Sequence, residues 1–147
     1  KARLSRYLDG RLGVLIDGTG DKFKKVAKMK KKMEEAGYDC YMVFVHTTLD
    51  IAQQRNMERP RKLKPEIVED SWHNVQRNIG FFQGLFGSSN FLIADNSATL
   101  KEAGAIKKFN MLLKQGLSKF INKSVQNPIG KKWVEKQKIL MKNKYKK

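Results

Sequence analysis

Apolar and polar positions alternate along the chain with two different periods, and the switches between them mark the elements. Leu4, Tyr7 and Leu8 share one side of a short amphipathic helix that Gly10 stops. Leu12 to Asp17 follows as a continuous apolar run closed by a carboxylate, which reads as a buried parallel strand. Phe23, Val26, Ala27, Met29 and Met33 then recur at helical spacing between lysines, so a helix is expected over 21–36 with Gly37 as its cap. Of its charged residues, Lys28, Lys30, Lys31 and Lys32 are expected mostly on the solvent side.

Tyr38 to His46 is aromatic and branched and predicts a second buried strand. Thr47, Thr48 and Asp50 offer cap chemistry for a helix from Leu49 to Glu58. Pro60 and Pro65 frame a basic excursion, Arg59 to Lys64, that cannot continue that helix. Pro65 suits the first turn of the next one, where Glu66, Glu69 and Asp70 favour the positive end of the dipole. It is expected to run to about Leu85 with Ile67, Val68, Trp72, Val75, Ile79 and Phe82 inward.

Phe91 to Ala94 predicts a third strand, and Leu100 to Asn122 an amphipathic helix on Ile106, Phe109, Leu113, Leu117 and Phe120. The order of strands and helices argues for an α/β domain with a parallel sheet and flanking helices. Pro128 is the expected boundary between this domain, residues 1–127, and an appended basic helix or tail over 128–147.

Composition adds one feature. The chain of 147 residues carries a net charge of +17, and from Lys101 onward 14 lysines face 2 glutamates, a net +12. Such a tail favours polyanions, nucleic acid among them, unless it is simply a solvated lysine face. It also has membrane-surface character, with lysines spread evenly along it. No apolar run is long enough for a membrane span. A single cysteine, Cys40, excludes an intrachain disulfide and suits a reducing cytoplasm. Neither His46 nor His73 has a partner at metal-ligand spacing.

Candidate chemistry collects at the strand ends. Asp17, His46 to Thr48, and Asp95 to Ser97 would lie along the carboxyl edge of the sheet, where open α/β sheets bind ligands. Asp17 is the first candidate, its alternative being a helix cap or turn residue. Arg55, Arg59 and Arg61 lie beside that edge, the first two on one helix face, and a guanidinium fork suits phosphoryl transfer. The alternative is a solvated helix end paired with Glu58 or Glu66.

Leu-Ile-Asp-Gly-Thr-Gly at 15–20 resembles the third-strand motif of P-loop kinases of the adenylate-kinase-like and zeta-toxin-like group. Residues 50–78, with Arg55, Arg59, Arg61, Pro65 and Glu66, are similar to the lid of those kinases, and Phe91 to Asn96 to their last strand. Within that group the chain resembles the zeta-toxin-like kinases of phage genomes, over about residues 4–122. The resemblance implies a P-loop NTPase fold of kinase type, with a lid at about 55–65. It implies ATP and magnesium as cofactors and phosphoryl transfer to a hydroxyl of an unidentified acceptor. Asp17 would hold magnesium through water or assist the acceptor hydroxyl. Arg55 and Arg59 would clamp the ATP phosphates or stack on the base. Arg61 would stabilise the transferring group, and Asn96 with Ser97 would lie against the adenine.

The departure from that pattern is the phosphate cradle, since no G-x-x-x-x-G-K-[ST] occurs in these residues. Together with a first residue that is Lys1 and not methionine, this reads as an N-terminally incomplete kinase whose sheet another segment or chain completes. This chain alone is then expected to be inactive. The rival readings are a basic nucleic-acid-binding module and an assembly module docked through a sheet edge.

Overall fold

The computed structural model describes residues 2–98 and 104–144. The chain is mixed α/β and mostly helical: α1 (Ala2–Asp9), α2 (Phe23–Glu35), β1 (Met42–His46), α3 (Leu49–Glu58), α4 (Pro65–Phe86), β2 (Phe91–Asp95), α5 (Ala105–Ile121) and α6 (Pro128–Lys144). Residues 100–103 of the helix expected from Leu100 lie outside the described residues, as do 145–147 of the tail. Among the described residues no helix is long and apolar enough to cross a membrane.

β1 and β2 pair in parallel, with Met42 opposite Phe91 and His46 opposite Asp95. The connection between them runs through α3 and α4, as a parallel pair requires. The expected strand at Leu12 to Asp17 does not form: the segment between α1 and α2 is irregular and pairs with neither strand. A strand exists only through its ladder, and an apolar run without a partner cannot make one. Leu15 is accordingly 98% exposed.

The core lies where α2 and α4 meet. Phe82 is fully buried, with its ring centroid 5.6 Å from that of Phe23. Asn78 fixes the incoming chain there by donating its Nδ2 hydrogens to the carbonyls of Gly20 and Asp21, at 2.9 and 3.1 Å. Met33, Phe44 and Ala94 are the other buried apolar side chains among the described residues. On the other side, α5 crosses β2 through Gly116, where the Leu92 side chain occupies the space a Cβ would need. Several expectations about inward positions fail, among them Val45, which lies in the strand expected to be buried and is 50% exposed. Ile67 is exposed because it sits in the first turn of α4, beside the loop and away from the core, and Ile106 and Leu117 are exposed on the flank of α5. Lys30 departs from the solvent face, its ammonium 2.5 Å from the Glu34 carboxylate and 5.6 Å from the Phe86 ring centroid.

The turn after α2 joins the chain's two ends. Gly37 has φ 93°, a left-handed conformation that closes the helix without a Cβ penalty. The Arg11 guanidinium donates to Ala36 O, and the Tyr38 hydroxyl donates to Leu12 O at 3.1 Å. Asp39 accepts from the backbone N–H groups of Gln126 and Asn127 at 2.7 and 2.8 Å. Asn127 in turn accepts from Ile129 N and donates to Glu34 O, so one side chain both caps α6 and docks it.

Candidate functional site

The carboxyl ends of β1 and β2 converge on a hydrogen-bonded cluster. Asn96 N donates to His46 O at 2.8 Å, extending the ladder past the strands, and Thr47 Oγ1 reaches Asn96 O at 3.4 Å. Trp72 holds the opposite side through an indole N–H donated to Thr47 O at 2.8 Å. Thr48 caps α3 by accepting from Ile51 N, so the chain turns out of β1 directly into the arginine-bearing helix. Arg55, in the last turn of α3, donates back across this edge to Asn96 O at 2.9 Å and Ala98 O at 3.2 Å. A charge-assisted bond to a carbonyl fixes a loop firmly, and Arg55 thereby sets the path of residues 96–98.

Asp95 is the carboxylate of this edge. It accepts from both Ser97 Oγ at 2.6 Å and Ser97 N at 2.9 Å. Those two bonds, aided by the charges of His46 and Lys108, hold its carboxyl below the usual carboxylate range. The sign follows from linkage: a depressed pKa contributes stability that is present above the unfolded value and lost as pH falls through the folded one. In a carbon-detected NMR titration, Asp95 should therefore ionise below about 3.9, the ordinary aspartate value. Ser97→Ala should move its midpoint upward, and an unmoved midpoint would show that the hydroxyl does not hold the charge.

The loop between α3 and α4 is a pinned arch. Buried Asn56 grips it twice, donating Nδ2–H to Leu63 O at 2.8 Å and accepting from Leu63 N at 2.9 Å. Gln53 adds a bond to Pro65 O at 2.9 Å. The arch lifts Arg59, Arg61, Lys62 and Lys64 into solvent, exposed and without ion pairs to described residues. Arg59 does not share a helix face with Arg55, because it is the extended C-cap of α3, with ψ 146°.

Of the residues singled out in the sequence, the structure brings Arg55, Asn96 and Ser97 into one network. Asp17, Arg59 and Arg61 stand outside it, exposed, with Asp17 on the unpaired segment before α2. Asp95 and Asn56 carry more of the local geometry than the sequence suggested. A strand-ending Asp two residues before Ser is the signal for the first. The second has none, because a polar residue inside a helix gives no sign that its partner is a loop backbone. No family model, no curated protein and no solved structure matches this chain.

A cleft of about 780 Å³ opens at the other end of the strands, between Lys30, Cys40, Tyr41, Asn90 and Lys123. Lys123 spans it, donating to Ser89 O and Asn90 Oδ1 with its charge 5.5 Å from the Tyr41 ring centroid. Burial, reinforced by the Glu34 carboxylate, pushes the Cys40 thiol up to about 11. The thiol therefore stays protonated at neutral pH.

Proposed function

We propose that this chain is the nucleotide-facing part of an ATP- and magnesium-dependent kinase, acting in the cytoplasm. The observation that carries the reading is the arginine-bearing connection: α3 brings Arg55 onto the strand-end loop that follows Asp95 and continues into a basic loop braced by Asn56 and Gln53. The charges suit a polyphosphate, because Arg59 and Arg61 are free of ion pairs with described residues and mounted on a braced loop. Magnesium keeps most of its water and needs only one or two carboxylates; Asp95 at the strand edge, or Asp17 on the exposed segment before α2, would each offer one, and once bound the ion would neutralise charge on the transferring phosphoryl group. Arg59 and Arg61 would bind the phosphates. Arg55 would act by fixing the loop at Asn96 and Ser97, against which the base would lie.

The phosphate cradle must come from elsewhere, and the sheet has room for it. Leu12, Leu15 and Ile16 are exposed on a run that pairs with no strand, and a parallel sheet of two strands leaves unpaired backbone on its edges. A strand supplied by a further segment or a partner chain would bury both. The phosphate acceptor would be bound by that added part.

A second reading, a nucleic-acid-binding or assembly module built on a kinase-like fold, draws on the net +12 of residues 101–147. NMR titration of the chain with magnesium ATP, and with inorganic triphosphate as the charge control, separates the two. The kinase reading expects ATP shifts at residues 46–48, 59–64 and 95–98, with triphosphate reproducing only those of the arch. Shifts confined to α5 and α6, or none at millimolar ATP, would reject it.

A further inference from the structure

The helix α6 (Pro128–Lys144) is docked at one end only. Gly130 is buried against Gly37, Val134 and Gln137 are half-buried, and every residue from Lys138 to Lys144 is exposed. The lysines are not spread evenly around it. Ile129, Trp133, Leu140 and Met141 fall with Gln137 on one broad arc at helical spacing, whereas Lys131, Lys132, Lys136, Lys138 and Lys142 occupy the opposite arc. Only Ile139 and Lys144 break the segregation. The apolar arc is open: Trp133 is 39%, Leu140 52% and Met141 62% exposed.

We infer that α6 is an interfacial helix that binds the surface of an anionic lipid bilayer. Charge complementarity selects the occupant. A chain of net charge +17 disfavours a second copy and favours an anionic partner. Nucleic acid would use the lysines and could stack on Trp133, but it has no use for Leu140 and Met141. A bilayer of anionic lipid uses both arcs. The apolar stripe enters the headgroup boundary, Trp133 sits at the depth indoles prefer, and flanking lysines reach the phosphates along their alkyl stems. With 17 residues, α6 has room to lie flat on the surface. This inference does not depend on nucleotide chemistry.

Co-sedimentation of the full chain with vesicles tests it, using mixed phosphatidylglycerol and phosphatidylcholine against pure phosphatidylcholine. Binding is expected only to the mixed vesicles, with a blue shift of tryptophan emission that Trp133→Phe removes. The double variant Leu140→Ser, Met141→Ser changes exposed residues and should weaken vesicle binding roughly tenfold or more. Its circular dichroism should be unchanged. Failure to sediment with anionic vesicles, or equal binding by the double variant, would overturn the inference. So would RNA binding that the double variant retains, if vesicle binding is absent.

Discussion

Phe82→Ala should cost about 3–5 kcal/mol, because it removes a fully buried ring and leaves a cavity where it stood. Phe82 lies on α4, packs against Phe23 of α2, and stands 3.6 Å from the position a Cβ would take on Gly20. Three segments therefore meet on one side chain. The cost is a large share of the roughly 5–15 kcal/mol that stabilises an ordinary domain. Its neighbour Phe81 supplies the control: it also faces Phe23, at 5.7 Å between centroids, but is 63% exposed. Phe81→Ala should cost about 1 kcal/mol, the scale of an aromatic pair with little added burial. Urea unfolding of both variants gives the comparison. If the two midpoints shifted equally, the core would not be centred at Phe82.

That contrast shows how far a linear pattern can reach. Helical periodicity located α3 at Leu49–Glu58 and the start of α4 at Pro65, because caps and prolines are local signals. Periodicity also named Phe82 as inward, yet it gave Ile67 the same status. Depth along a helix depends on where its neighbours end, which is not a local property. The run Leu12 to Asp17 shows the same limit in a strand: its composition suits a buried ladder, but pairing belongs to two segments and no described one faces it. At the candidate site the residue types at both strand ends were legible, since polar residues after an apolar run mark the edge. Which of them would touch was not. Arg55 bonds to carbonyls 41 and 43 positions away, a partnership that only the parallel register of β1 and β2 creates.

Gly130→Ala should detach α6 from the body while leaving it helical. A Cβ on Gly130 would lie 2.5 Å from Gly37 O and 2.9 Å from Val125 Cγ1. The first contact is with backbone, and Gly37 cannot yield easily. It is held at φ 93°, where its own Cβ would meet Arg11, Ile129 and Gly130 N within 3.2 Å. Overpacking of this kind costs about 1–3 kcal/mol. Alanine meanwhile raises intrinsic helix stability by about 1 kcal/mol over glycine, so the loss falls on docking and not on the helix. Limited trypsin digestion should then cut after Lys131 and Lys132 markedly faster than in the parent chain, with far-ultraviolet dichroism unchanged. Equal cleavage rates would mean that the Asp39 and Asn127 bonds hold α6 without the glycine contact. Because Trp133, Leu140 and Met141 are already exposed in the docked helix, the variant should bind anionic vesicles at least as well as the parent. Docking and lipid binding use different parts of one helix, and this substitution separates them.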